Sequence, residues 1–120
     1  MPRLFVYGTL RSGAVNHQVL TQHVARGGAR FERLVSTLPR YDLVDLGAYP
    51  ALLPTGTLAV HGELWIVDDR ALAALDRFEG APDLYRRTEI ELEGEPVAQA
   101  YVWARGVPAR ARRIESGAFR

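Results

Sequence analysis

The chain has 120 residues and a mass of 13.3 kDa, which leaves room for one core and none for a second, so we expect a single domain over residues 1–120. Fifteen basic and fourteen acidic residues give a net charge of +1, which argues against a nucleic-acid partner. Cysteine and lysine are both absent, which excludes disulfides, thiolate metal sites, cysteine nucleophiles and Schiff-base chemistry.

The distribution of apolar residues argues against a membrane protein. No stretch approaches the roughly 18 apolar residues that a membrane-spanning helix needs. The first ten residues, MPRLFVYGTL, have the pattern of neither a secretory signal nor a transit peptide. We therefore expect a cytoplasmic protein without a membrane partner.

The first quarter of the chain predicts a strand and a short helix. Residues 3–7 form a β-rich apolar run that is stopped by Gly8, which is typical of a buried strand entering a turn. A short helix is predicted to begin at Asn16 or Thr21 and to end at the glycine pair 27–28.

Strand patterns follow in the middle of the chain. Residues 29–38 and 41–46 are predicted to be two strands of a hairpin or meander, separated by a Pro-Arg pair. Residues 47–56, with two prolines and two glycines, are predicted to be a loop. Residues 60–67 give the clearest strand pattern of this region.

The segment after residue 67 carries the signals of a helix at both ends. Asp68 and Asp69 supply an N-terminal cap, the helix covers residues 70–79, and Gly80 with Pro82 just beyond it ends the helix.

Two further strands and a tail complete the chain. Strands are predicted over residues 85–92 and 97–104, and the arginine-rich residues 105–120 are predicted to be an extended C-terminal tail. With five to six strands and one well-marked helix, the sequence predicts an α+β domain.

The loop after the first strand has the spacing G-x-x-x-x-G from Gly8 to Gly13. A nucleotide-binding loop of this spacing continues with Lys and Ser or Thr, whereas this chain continues with Ala14 and Val15. The remaining interpretation is a turn whose successive backbone N–H groups bind a carboxylate. The alternative is a plain glycine turn with Tyr7 in the core.

Glu79 stands out among the acidic residues by its position on the predicted helix. At about 100° per residue, Glu79 lies about 20° from Leu72, on the same apolar stripe as Leu75. Burial there would raise the pKa of its carboxyl toward neutrality and suit it to act as a general base. Two alternatives remain: a frayed last turn that exposes the side chain, or a structural ion pair with Arg86 or Arg87.

Other candidate groups give weaker patterns. His17, His23 and His61 have no partner at metal-ligand spacing, so no metal site is predicted. The serines lack a nucleophile elbow. Glu63, in an apolar strand context, is expected to have a structural hydrogen-bonding role.

Two segments, taken in this order, resemble the γ-glutamylcyclotransferase-like superfamily: LFVYGTLRSGAVNHQVL and LDRFEGAPDLYRR. The first carries the family's Y-G-(T/S)-L loop with Gly13 and Asn16-His17, and the second carries L-D-x-x-E-G followed by Tyr85 and Arg87. Four motifs are most similar to those of the γ-glutamylamine cyclotransferase branch: F-V-Y-G-T-L, N-H-x-V-L, L-D-x-F-E and L-Y-x-R.

The resemblance covers nearly the whole chain. Between the two segments, VHGELWIVD is similar to the family's strand with the G-E motif. The C-terminal segment RIESGAFR is similar to the family's C-terminal motif S-G-D-W-R. The ending departs from that pattern, since Ala118 and Phe119 stand where Asp and Trp are usual.

The resemblance implies a small mixed β-barrel flanked by short helices, with a cavity at its mouth and no metal or organic cofactor. It implies that the essential glutamate is Glu79, which would deprotonate the α-amine of a γ-glutamyl compound for attack on the γ-carbonyl. The products would be 5-oxoproline and a free amine. The implied substrate-binding residues are the backbone of the Y-G-T-L loop and two tyrosines that close the pocket: Tyr7, Gly8, Thr9, Leu10, Tyr85 and Tyr101.

Two other functions stay open at this point. A non-catalytic small-molecule-binding or interaction module of the same fold would keep the loop and tolerate loss of the Glu79 carboxylate. An interaction protein would instead use Arg110, Arg112 and Arg113 of the tail against an acidic partner.

Overall fold

The computed structural model describes residues 1–119, which form one mixed sheet of eight strands with two helices. Neither helix in this part of the chain has the length and apolarity that crossing a bilayer requires. The elements in chain order are β1 Arg3–Val6, α1 Gln18–Thr21, β2 Ala29–Ser36, β3 Tyr41–Asp45, β4 Pro50–Leu58, β5 His61–Val67, α2 Asp69–Glu79, β6 Tyr85–Ile90, β7 Ala98–Trp103 and β8 Arg112–Arg113.

The strand order is β2-β5-β1-β7-β4-β3-β8, and β6 pairs with β7 in addition. The sheet is mixed because β7 runs parallel to β1 and β4 and antiparallel to β6. This confirms the predicted α+β class, with more strands than the five or six expected. The strand ladders alone leave the sheet open, so they do not establish the closed barrel that the resemblance implies. One isolated antiparallel bridge, between Thr37 and Leu92, links the regions that follow β2 and β6.

The two strands predicted over residues 29–38 and 41–46 are present as β2 and β3, but their predicted pairing in a hairpin or meander is wrong, because β2 pairs with β5 whereas β3 pairs with β4. The predicted loop over residues 47–56 is also wrong, since most of it belongs to β4. Pro54 and Gly56 are accommodated by an irregularity: Tyr41 pairs with Leu58 and the next residue pairs with Leu53, so residues 54–57 leave the ladder. A strand with such an irregularity does not show an alternating pattern in its sequence.

Helix α2 confirms the sequence prediction to within one residue. The Asp68 side chain accepts a hydrogen bond from the Ala71 N–H at 2.8 Å and caps the N-terminus. Gly80 ends the helix in the left-handed conformation, with φ of 66°. The last residue of the helix, Glu79, is therefore held by a defined terminus.

Alternate residues of β1 enter two separate cores. Leu4 and Val6 pack in the core beneath the helices, together with Leu72 and Leu75 of α2. Phe5 belongs to the core on the other face of the sheet. This alternation fixes the register of β1 and thereby the position of the loop that follows it.

The C-terminal segment, predicted to be an extended tail, is attached to the sheet. Strand β8 pairs with β3, and the Gly117 carbonyl accepts a hydrogen bond from the His61 N–H at 2.8 Å. Arg113 forms an ion pair with Asp42 at 2.8 Å. One of the three arginines considered for an acidic partner is thus used within the chain.

Candidate active site

A cavity of about 400 Å³ opens between the loop after β1, the start of β4 and the C-terminal end of α2. Every site residue predicted from the sequence lines it, together with others that the sequence did not single out. The lining residues are Phe5, Val6, Tyr7, Gly8, Thr9, Leu10, Val15, Asn16, Ala48, Tyr49, Pro50, Phe78, Glu79, Leu84, Tyr85 and Tyr101.

The loop after β1 presents three successive backbone amides. Within residues 1–119, the N–H groups of Gly8, Thr9 and Leu10 donate no hydrogen bond. The oxygens of the loop are held instead: Thr9 O accepts from Asn16 N at 2.9 Å, Thr9 Oγ1 accepts from Asn16 Nδ2 at 3.0 Å, and Leu10 O lies 2.8 Å from His17 Nδ1. A fixed run of free N–H groups is a binding site for an anion such as a carboxylate.

Glu63 holds the far side of this loop. Its buried carboxylate accepts hydrogen bonds from the Ser12 N–H at 3.0 and 3.2 Å and from Trp65 Nε1 at 3.1 Å. The structural role expected for Glu63 is thereby confirmed. Because a buried carboxylate needs such donors, loss of either partner would leave it poorly compensated.

Gly8 is required because another part of the chain approaches it closely. A Cβ atom at this position would lie 2.9 Å from Pro50 Cγ and 3.2 Å from Pro50 Cδ. A side chain at Gly8 would therefore displace either the loop or the start of β4.

Glu79 is half-buried and points its carboxyl at the cavity without a partner. Within residues 1–119 the carboxylate accepts no hydrogen bond and joins no ion pair, although it lines the pocket. Burial raises its pKa from 4.5 to about 7. A carboxyl of this kind exchanges a proton readily near neutral pH.

Arg87, one of the two arginines considered as an ion-pair partner of Glu79, binds Asp76 instead. Arg87 binds Asp76 through two contacts, Nε to Oδ1 at 3.0 Å and NH2 to Oδ2 at 3.1 Å. Tyr101 donates its hydroxyl hydrogen to Asp76 Oδ1 at 2.7 Å. Asp76 is thus a half-buried acceptor one turn before Glu79.

We expect Asp76→Asn to lower the pKa of Glu79. The change removes a negative charge from the same helix face and leaves the Arg87 guanidinium without its partner, and both effects favour the ionised form of Glu79. The measurement is the titration of the Glu79 carboxyl carbon by NMR. In the double variant Asp76→Asn with Arg87→Leu, the pKa of Glu79 should return most of the way to its value in the native protein. An unchanged pKa of Glu79 in Asp76→Asn alone would contradict this account.

The tyrosines of the cavity contribute rings rather than free hydroxyls. Tyr7 donates to the Tyr101 carbonyl at 2.6 Å and accepts from the Leu52 N–H at 3.1 Å. Tyr85 donates to the Pro50 carbonyl at 2.7 Å. Tyr85 and Tyr101 lie where they were expected, with their hydroxyl groups already bound to the protein.

The sequence analysis missed the outer wall of the cavity. Tyr49 and Pro50 fall in the segment predicted to be a loop, and Phe78 stands beside Glu79 in the L-D-x-F-E motif. The ring of Tyr49 packs against Tyr85 and Trp103, each with ring centroids 6.3 Å away. No local pattern marks these residues, because they meet only when α2 and the start of β4 are brought together.

Among residues 1–119, no three side chains of the His, Asp or Glu type lie close enough together to hold a metal ion.

One cavity thus holds three free backbone amides and an unpaired carboxyl whose pKa is raised to about 7. The chain belongs to the family described as gamma-glutamyl cyclotransferase, AIG2-like, whose model matches residues 4–120. The resemblance stated from the motifs is thereby confirmed.

Individual relatives agree with this assignment. A putative gamma-glutamylcyclotransferase of Vibrio cholerae is 47% identical over 100 residues, covering 83% of this chain and 78% of that protein. The gamma-glutamylaminecyclotransferases of Bos taurus and Homo sapiens are 44% and 43% identical over 78% of this chain. The chain spans 58% of the bovine protein and 63% of the human one.

Solved structures show the same fold. An AIG2-like protein from Mus musculus superimposes with a TM-score of 0.80 at 33% identity, covering 90% of this chain and 80% of that chain. A protein from Pyrococcus horikoshii superimposes with a TM-score of 0.77 at 28% identity, covering 99% and 90%.

Proposed function

We propose that this protein is a cyclotransferase that cleaves γ-glutamyl amines or amides and releases 5-oxoproline and a free amine. The observation that carries the proposal is the unpaired Glu79 carboxyl in the same cavity as the free amides of residues 8–10. Relatives that match most of this chain bear the name gamma-glutamylaminecyclotransferase, which supports the same substrate class.

The α-carboxylate of the γ-glutamyl group would bind to the N–H groups of Gly8, Thr9 and Leu10. Backbone donors that are fixed before the ligand arrives bind an anion without a further ordering cost. This contact would hold the γ-glutamyl chain in a curled conformation beside Glu79.

The reaction then needs one base and one acid, and Glu79 would serve as both. It takes a proton from the α-ammonium, and the freed α-amine attacks the γ-carbonyl carbon, so that the ring C–N bond forms. The γ-amide C–N bond breaks as the same carboxyl protonates the leaving nitrogen. The α-nitrogen loses a second proton when it becomes the lactam N–H. That proton is taken up by the released amine, which leaves in its ammonium form.

The geometry of the bound chain supplies much of the catalysis. Because nucleophile and electrophile belong to one molecule, holding the chain curled replaces a bimolecular encounter by an intramolecular step. Tyr85 and Tyr101 would close the pocket around the ring that forms.

Turnover tests the proposal directly. The purified protein is incubated with a panel of γ-glutamyl amines, and 5-oxoproline and the released amine are measured in equal amounts. Binding of these compounds without any turnover would favour the alternative, a non-catalytic binding module of the same fold.

The pH dependence gives a further prediction. Glu79 must be ionised in the free enzyme to accept the proton, so kcat/KM should rise with pH through about 7, the raised pKa of Glu79, before it levels off. The acidic limb should move or disappear in Glu79→Asp, whose shorter side chain should also lower kcat strongly. A flat profile from about pH 5 to about pH 8, with chemistry rate-limiting, would rule out Glu79 as the proton carrier.

Two further expectations from the sequence stay predictions. One is the closed barrel, which the bridge between Thr37 and Leu92 supports. The other is the cytoplasmic location.

A further inference from the structure

The outer rim of the cavity is apolar. Three exposed side chains line the cavity at its opening: Val15 (76% exposed), Tyr49 (38%) and Phe78 (44%). The exposed Ala48 lies beside them. Apolar side chains left exposed around one opening are typical of a binding surface, whereas scattered single ones are not.

The rim offers no charged partner. Among residues 1–119, Glu79 is the only acidic or basic side chain that lines the cavity. The proposed mechanism uses Glu79 for the proton of the α-ammonium. A second charge on a substrate would therefore meet no oppositely charged side chain in this pocket.

Most polar side chains of the wall are also already paired. Thr9 and Asn16 are hydrogen-bonded to each other, and the hydroxyl groups of Tyr7, Tyr85 and Tyr101 are bound to protein oxygens. A polar substituent would have to give up water and would find few free side-chain partners in this wall.

The position of the γ-glutamyl group decides what meets the rim. In the proposed binding mode its carboxylate end lies at the amides of residues 8–10 and its α-amine at Glu79, so the substituent on the γ-amide nitrogen is the part that remains for the opening. We infer that this substituent is an uncharged alkyl or aryl group, packed against Val15, Tyr49 and Phe78. The inference rests on the proposed function and specifies its substrate class: γ-glutamyl amides of apolar primary amines.

A matched pair of substrates tests the inference. γ-Glutamyl-n-pentylamide and γ-glutamyl-4-aminobutylamide have leaving groups of the same length, one ending in a methyl group and the other in an ammonium. We expect kcat/KM to be at least about tenfold higher for the pentylamide, mainly through KM, because a charged end loses hydration without a partner. Equal values, or a preference for the ammonium compound, would overturn the inference.

A charge placed on the rim should weaken or abolish this selectivity. In Val15→Asp, the ratio of the two kcat/KM values should fall by about tenfold, since the new carboxylate attracts the ammonium and disfavours the methyl group. Val24→Asp is the matched control, because Val24 is 45% exposed and does not line the cavity, so the ratio should stay unchanged. A ratio that changes equally in both variants, or in neither, would contradict a role for the rim.

Different results would contradict the proposed function and the inference about the rim. If no γ-glutamyl compound is turned over, the proposed function is wrong. If γ-glutamyl compounds are turned over without a preference for apolar leaving groups, only the inference about the rim is wrong. Should Val15→Asp fail to fold, Phe78→Ser provides the second variant, and it should raise KM for the pentylamide several-fold while KM for the aminobutylamide changes little.

Discussion

Glu79→Gln is expected to lower kcat/KM for a γ-glutamyl amine by roughly 10² to 10⁴ while the fold persists. Glutamine fills the same space in the cavity but neither accepts the α-ammonium proton nor returns it to the leaving nitrogen. The measurement is the steady-state formation of 5-oxoproline. Full activity with an authentic substrate would remove Glu79 from the mechanism.

The same substitution should stabilise the protein at alkaline pH. Burial raises the pKa of Glu79 above its value in the unfolded chain, so the folded state binds a proton more tightly and stability falls as pH rises through about 7. A shift from 4.5 to about 7 corresponds to a cost of up to about 3 kcal/mol at pH 8. Glu79→Gln should remove much of that cost, which thermal unfolding would show as a larger gain at pH 8 than at pH 5.

Glu63→Gln provides the comparison between a catalytic and a structural carboxyl. Its carboxylate accepts hydrogen bonds from Ser12 and Trp65, so the amide should cost stability and a smaller part of the activity. Equal losses of kcat/KM in Glu63→Gln and Glu79→Gln would contradict the division of roles.

Gly8→Val is expected to abolish binding of 5-oxoproline and of γ-glutamyl compounds in a protein that remains folded. The new Cβ would lie 2.9 Å from Pro50 Cγ, so the loop must shift and its three amides no longer converge on one carboxylate. Calorimetric titration with 5-oxoproline measures the loss, and circular dichroism reports the fold.

Two controls separate this effect from a general intolerance of substitution. Gly106→Val introduces the same side chain where a Cβ meets nothing within 4 Å, so binding should be unchanged. Thr9→Ser keeps the hydroxyl that accepts from Asn16 and should be mild. A bound 5-oxoproline whose carboxylate lies away from residues 8–10 would overturn the assignment of the loop.

Helix α2 was predictable from the sequence because its signals are local. The Asp68 cap, the apolar stripe through Leu72 and Leu75, and the stop at Gly80 all act within a few residues, and the structure shows each of them. The position of Glu79 on that stripe follows from helical geometry alone, and so does the expectation that burial raises its pKa.

Strand pairing was not predictable in the same way. The strand β4 breaks its own pattern by an irregularity at residues 54–57, and β2 pairs with β5 rather than with the next strand along the chain. Pairing depends on which long-range contacts complete the two cores, and a sequence pattern reports only the neighbours of each residue.

The sequence by itself determined the α+β class, the glycine loop after the first strand and the carboxyl that faces the core. Only the tertiary structure decided that Arg87 binds Asp76 rather than Glu79, because that choice depends on distances between α2 and β6. It also decided the apolar rim, since Val15, Tyr49 and Phe78 come from three separate segments. Charge pairing and pocket shape are set by side chains far apart in sequence, whereas caps, turns and helical phase are set by adjacent ones.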